Sequence, residues 1–127
     1  MQNLSEMLKG VLEGMMLEII HQEEVYGYQI VRRLQDLGFS DISEGTVYTI
    51  LTRLERKRLV STTRRVSELG PPRKFYQLEQ RGVGELQSFW ERWHFLETRI
   101  NALQTRDTKL STEGLHIPTS GEKTDEE

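Results

Sequence analysis

The chain contains no cysteine and only three prolines among its 127 residues. Without cysteine there can be no disulfide framework, no thiolate nucleophile and no Cys-ligated zinc or iron–sulfur centre. A cytoplasmic, reducing environment is the expectation. Long apolar runs are missing too, and none approaches the roughly 20 residues needed to span a bilayer. The most apolar stretch, 11–20, is interrupted by Glu13 and Glu18 and lacks a small-residue cleavage site, so no signal peptide is expected. His21, His94 and His116 are scattered, and no His/Asp/Glu group has metal-ligand spacing. No G-x-S-x-G, P-loop or dinucleotide glycine pattern occurs. The sequence therefore predicts neither an enzyme nor a metal or cofactor site. Its length suits one domain of about 100–200 residues, burying about two-thirds of its unfolded surface.

The net charge is −3, but the signs are segregated. Between Gly45 and Arg81 there are nine basic residues against three acidic ones, a balance of +6. The other 90 residues carry eight basic and 17 acidic side chains, a balance of −9. Such asymmetry points to a polyanionic partner for one face. A solvated hairpin with surface arginines has the same composition, so position along the fold must decide.

Residues 4–22 read as one helix, with Leu4, Leu8, Val11, Leu12, Met15 and Ile19 at three- and four-residue spacing. Gly10 and Gly14 weaken it by about 1 kcal/mol each relative to alanine, so packing must hold it. Residues 26–37 form a second helix that closes at Gly38. Ser43 is a good N-cap for a third, whose Val47, Ile50, Leu51 and Leu54 share one stripe. Opposite that stripe stand Tyr48, Thr49, Thr52, Arg53 and Arg56, donor-rich side chains suited to phosphates and base edges. Segments 60–66 and 73–78 are rich in β-formers and flank the turn sequence 67–72, predicting a hairpin with Arg64, Arg65, Arg73 and Lys74 at or near its tip. Helix returns over 80–104, where Leu86, Phe89, Trp93, Leu96, Ile100 and Leu103 repeat at 3, 4, 3, 4 and 3 residues. The tail 105–127 has no periodicity and is expected to be disordered.

The expected fold class is mostly α with a small β-hairpin (α+β): a winged helix-turn-helix domain over 1–79, followed by a long C-terminal dimerisation helix over 80–104. In that architecture the third helix enters the DNA major groove and the wing rests on the flanking backbone. The +6 window is the third helix plus the wing, which gives the charge segregation a geometric meaning.

At this point the chain resembles the PadR family of winged-helix transcriptional regulators. The segments that carry the likeness are Tyr26-Gly27-Tyr28-Gln29-Ile30, then Gly45-Thr46-Val47-Tyr48 with Leu51 and Arg53-Leu54-Glu55, then Gly70-Pro71-Pro72-Arg73-Lys74-Phe75-Tyr76-Gln77-Leu78 with Gly82. The resemblance implies a dimer held by the first and last helices, and a repressor released by a small molecule or stress signal. Three positions depart from the family's habit: Thr49 replaces a proline, Arg58 a glycine before the wing, and Glu79 a threonine. The operator sequence is therefore not transferable from relatives.

The expected DNA-binding set is Tyr26, Ser43, Thr46, Tyr48, Thr49, Thr52, Arg53, Arg56, Arg64, Arg65, Arg73 and Lys74. Leu4, Leu8, Leu86, Phe89, Trp93, Leu96, Ile100 and Leu103 are expected at a homodimer interface. Trp90, Trp93 and Met15 are expected to line a pocket for a planar aromatic or cationic effector. The partner is double-stranded DNA carrying a roughly palindromic operator, and no membrane. The competing readings are a winged-helix module whose basic wing docks an acidic protein, and a winged-helix regulator of another family.

Overall fold

A computed structural model describes residues 4–67 and 69–106. The chain forms two compact units, Met1–Trp90 and Glu91–Glu127. The elements in order are α1 (Ser5–Leu8), α2 (Leu12–Gln22), β1 (Val25–Tyr26), α3 (Gly27–Asp36), α4 (Glu44–Arg56), β2 (Val60–Ser67), β3 (Gly70–Leu78) and α5 (Gln80–Arg106).

The helix expected over 4–22 is two helices. Lys9, Gly10 and Val11 form a turn in which the Val11 N–H donates to the Leu8 carbonyl at 3.0 Å. Gly10 lies in open space, so nothing compensates its poor helix propensity and the chain breaks there. Gly14 has the opposite fate. A Cβ at that position would collide with the Phe89 ring, so the missing side chain is what lets α2 and α5 approach.

α3 and α4 form the helix-turn-helix. Gln29 Oε1 accepts the Tyr26 N–H at 3.1 Å at the start of α3. Ser43 Oγ accepts the Thr46 N–H at 3.1 Å at the start of α4. Val47, Ile50, Leu51 and Leu54 are all buried, as the 3.6-residue period requires. They meet Met16, Leu17, Ile30 and Leu34 in the core. Each such side chain contributes up to about 1.5–3 kcal/mol. Among the described residues no charged side chain is buried, so every ion pair below is a surface or half-buried one.

The hairpin is longer than the sequence suggests. Pairing runs from Val60↔Leu78 to Ser67↔Gly70, with an irregularity between Arg65 and Ser67. Gly70, Pro71 and Pro72, expected in the turn, belong to β3. A third strand adds to the expected hairpin: β1 pairs antiparallel with β3 through Val25↔Tyr76 and Tyr26↔Phe75, giving the order β1-β3-β2. The hairpin base is tied to α5 by the Glu79 N–H on the Leu59 carbonyl at 2.9 Å.

In the first unit α5 contributes Leu86 and Phe89 to the core, with only 5% and 8% of their surface exposed. In the second unit Phe95, Leu96, Ile100 and Leu103 are half-exposed or more. The helix continues through Thr105 and Arg106, two residues beyond its expected end. The rest of the expected tail, 107–127, lies outside the described residues.

Candidate nucleic-acid interface

Successive α4 side chains turn by about 100°, which places Thr49, Thr52 and Arg56 within about 30° of the pole opposite the buried stripe. Tyr48 and Arg53 lie on its two flanks, about 110° from the stripe's centre. The environments follow that geometry. Thr49, Thr52 and Arg56 are exposed. The Thr52 hydroxyl donates to the Tyr48 carbonyl at 3.0 Å, which leaves its oxygen able to accept. Thr49 and Arg56 have no side-chain partner among the described residues.

Tyr48 is 42% exposed and stands beside Gly27, where a Cβ would strike its ring. Burial of its inner part raises the phenol above its ordinary value, helped by the Glu44 carboxylate and by Tyr26. At neutral pH it is a hydrogen-bond donor. Arg53, expected on the face opposite the stripe, turns from its flank toward α2. Its Nε donates to Glu13 Oε2 at 3.3 Å, and Lys57 Nζ approaches the same oxygen at 3.6 Å. A flank position beside α2 is within reach of Glu13, and the guanidinium turns that way. Ser43 and Thr46 are committed to the helix start, with their hydroxyl oxygens 3.1 Å apart.

In the hairpin, Arg64 pairs with Lys74 and Arg65 with Arg73. Alternation puts the first pair on one face and the second on the other. Four cations facing each other in two rungs would repel, and the fold answers with acids and rings. On one face Lys74 Nζ lies 3.3 Å from Glu55 Oε1 of α4, and the Thr62 hydroxyl donates to the same carboxylate at 3.4 Å. On the other face Arg65 is ion-paired with Glu24 and lies 4.4 Å over the Phe75 ring. Arg73 lies 4.4 Å over Tyr26, which packs edge-on against Phe75 at 5.3 Å. Arg64 is exposed and has no partner among the described residues. These cations sit along the strands. The end of the hairpin instead presents Val66 and Leu69, the latter 97% exposed.

Among the effector candidates, the Trp90 Nε1–H donates to Glu18 Oε1 at 2.9 Å, and its ring meets Phe89 edge-on at 5.2 Å. Met15 is partly buried against the core. Trp93 belongs to the second unit and is 38% exposed. Among the expected interface residues, Leu8 packs against the core and Leu4 is half-buried. Leu86 and Phe89, expected at the interface, belong instead to the core, because the first unit already covers them.

The role of Glu13, Glu24 and Glu55 as partners of these cations leaves no mark in the sequence. Glu13 and Arg53 are 40 residues apart and Glu24 and Arg65 are 41 apart, so no local pattern links them. A groove of about 330 Å³ runs beside the Glu13–Arg53 pair, with Leu8, Leu12, Ile42 and Ile50 among its walls.

A helix pair with a capped second helix, followed by a basic hairpin, defines a winged helix-turn-helix protein. The sequence profile of the transcriptional regulator PadR-like family matches residues 16–88. A PadR-like transcriptional regulator from Bacillus cereus is 43% identical, with a TM-score of 0.72 over 78% of this chain and 96% of that one. A Streptococcus transcriptional regulator is 36% identical, with a TM-score of 0.72 over 81% and 99% of the two chains. An uncharacterised protein of Lysinibacillus sphaericus is 26% identical over 91 residues, 70% of this chain and 84% of that one. The chain belongs to the PadR-like family of transcriptional regulators.

Proposed function

We propose that this protein is a dimeric, sequence-specific DNA-binding repressor of a bacterial cytoplasm, released from its operator by a small molecule or stress signal, with no catalytic role. The observation that carries this reading is the outer face of α4. It offers Thr49, Thr52 and Arg56 to an incoming surface with their outward polar atoms unclaimed, and the cationic hairpin follows directly in the chain. Inserted in a major groove, this face puts two hydroxyls and a guanidinium at base edges. Tyr48, Arg64, Arg73 and Lys74 then serve phosphates, which fix register without reading sequence.

A second copy supplies the other half of the interface. The exposed Trp93, Leu96, Ile100 and Leu103 are its apolar contacts, with Leu4 and Leu8 at the two ends of α1. Leu86 and Phe89 act only indirectly, by anchoring the first turns of α5. Two recognition helices about 34 Å apart imply a roughly palindromic operator. For the effector, the Trp90 and Trp93 rings are each more than a third exposed and offer π faces to a planar aromatic or cationic compound. Because the Trp90 N–H is held by Glu18, such a ligand meets the ring and not its donor.

A gel-shift titration against the gene's own upstream DNA and a scrambled duplex tests the reading. The expected preference is about a thousandfold or more at physiological salt. Equal, weak affinities for both duplexes favour the alternative, an interaction module docking an acidic protein.

A further inference from the structure

Two helices of the first unit end in the same backbone motif with different residues at its left-handed position. After α3, the Phe39 N–H donates to the Leu34 carbonyl at 3.0 Å and the Gly38 N–H to the Gln35 carbonyl at 2.9 Å, with Gly38 at φ +106°. After α4, the Leu59 N–H donates to the Leu54 carbonyl at 3.0 Å and the Arg58 N–H to the Glu55 carbonyl at 3.0 Å, with Arg58 at φ +64°. Both are Schellman closures, whose left-handed residue is usually glycine because any Cβ there crowds the backbone. α3 obeys the rule. α4 breaks it, and Arg58 is the one non-glycine residue at positive φ among those described.

The fold gains little from this arginine in return. Its side chain is exposed and has no hydrogen bond, ion pair or ring contact among the described residues. Its neighbour Lys57 is offset by Glu13, but Arg58 adds an uncompensated charge beside Arg56 and Lys57. Gly82 packs directly on the Leu59 carbonyl, so the first turn of α5, with exposed Arg81, borders the same corner. A strained backbone and crowded like charges, with no partner among the described residues, indicate a partner outside the chain.

We propose that Arg58 is a phosphate-binding residue of the DNA interface, gripping a backbone phosphodiester at the corner between recognition helix and wing. This rests on the DNA-binding reading above. Arg58 sits past the end of α4, beyond the outer face that reads base edges, and phosphates border the groove on either side. A guanidinium offers five donors to such an oxygen pair, as a glycine cannot.

The test compares the full-length wild type with Arg58→Gly and Arg58→Lys, using fluorescence anisotropy on labelled upstream and scrambled duplexes together with thermal unfolding. Arg58→Gly relieves the backbone, so Tm should rise by about 3–6 °C. Its affinity should fall about tenfold on both duplexes, and the dimer's log–log salt dependence should become shallower by about two. Arg58→Lys should keep the wild-type Tm and most of the affinity. A raised Tm with unchanged DNA affinity and salt dependence overturns the proposal, and so does a lowered Tm, which would make Arg58 a support of the fold. Wild-type protein that binds neither duplex removes the DNA reading and this assignment together. That result is distinct from wild-type binding that Arg58→Gly leaves intact.

Discussion

Arg53 of α4 and Glu13 of α2 are ion-paired across 40 residues of chain, with Nε and Oε2 3.3 Å apart. Both side chains are partly exposed, so the pair adds at most about 1 kcal/mol to stability. Its larger consequence is electrostatic. Glu13 offsets Arg53 and Lys57, Glu55 offsets Lys74, and Glu24 offsets Arg65, so in the proposed complex phosphates would compete with internal carboxylates for four of the cations.

Glu13→Gln removes one competitor. Its Tm should stay within a few degrees of wild type, while DNA affinity rises several-fold as Arg53 and Lys57 become available. Anisotropy titrations at matched salt check this. Unchanged affinity would mean that Arg53 and Lys57 stay on α2 in the complex.

Gly14 and Gly27 both lie against aromatic rings, but the rings differ in freedom. Phe89 is buried, so Gly14→Ala should cost about 1–3 kcal/mol and lower Tm clearly. Tyr48 is half-exposed and can swing away, so Gly27→Ala should leave Tm nearly unchanged while weakening DNA binding through the displaced phenol. Equal Tm losses in the two variants would contradict this distinction.

Burial raises the phenol of Tyr76 above the ordinary value of 10.0, assisted by Glu55 and Tyr48, and that of Tyr48 moves in the same direction. Each phenol is thus harder to ionise in the folded state. Its contribution to stability is full below pH 10 and is lost as pH rises through the raised folded value. Urea midpoints from pH 8 to 11 should fall, and Tyr76→Phe should make that fall shallower.

The periodic seam of α5 should divide in two. Leu86→Ala should cost about 2–5 kcal/mol, because Leu86 belongs to the core of its own unit. Leu96→Asp with Ile100→Asp should leave circular dichroism and core stability nearly intact but convert dimer to monomer in sedimentation. A dimer that survives both aspartates would place the interface elsewhere.

That seam also shows what the sequence could tell. Its spacing marks an apolar helix face but is the same whether the face meets its own domain or another chain, so Leu86 and Phe89 were legible as apolar and not as core. The stripe of α4 and the Ser43 cap were legible because periodicity and capping are local. β1 was not, since two residues have no period and the strand exists only through its pairing with Tyr76 and Phe75. The break at Gly10 is the converse case: the weak propensity was visible, but only the open space around it decides that nothing compensates. The carboxylate partners of the cations were not legible for a related reason, since tertiary contacts leave no sequence spacing.

The most direct measurement is the salt dependence of wild-type binding to its upstream duplex. Two copies that together neutralise about 6–8 phosphates should give a log–log slope near −5 to −7, with Lys74→Ala shallower on every duplex and Arg56→Ala losing base discrimination. A flat response between 50 and 200 mM salt would contradict an interface built on the α4 outer face and the cationic hairpin.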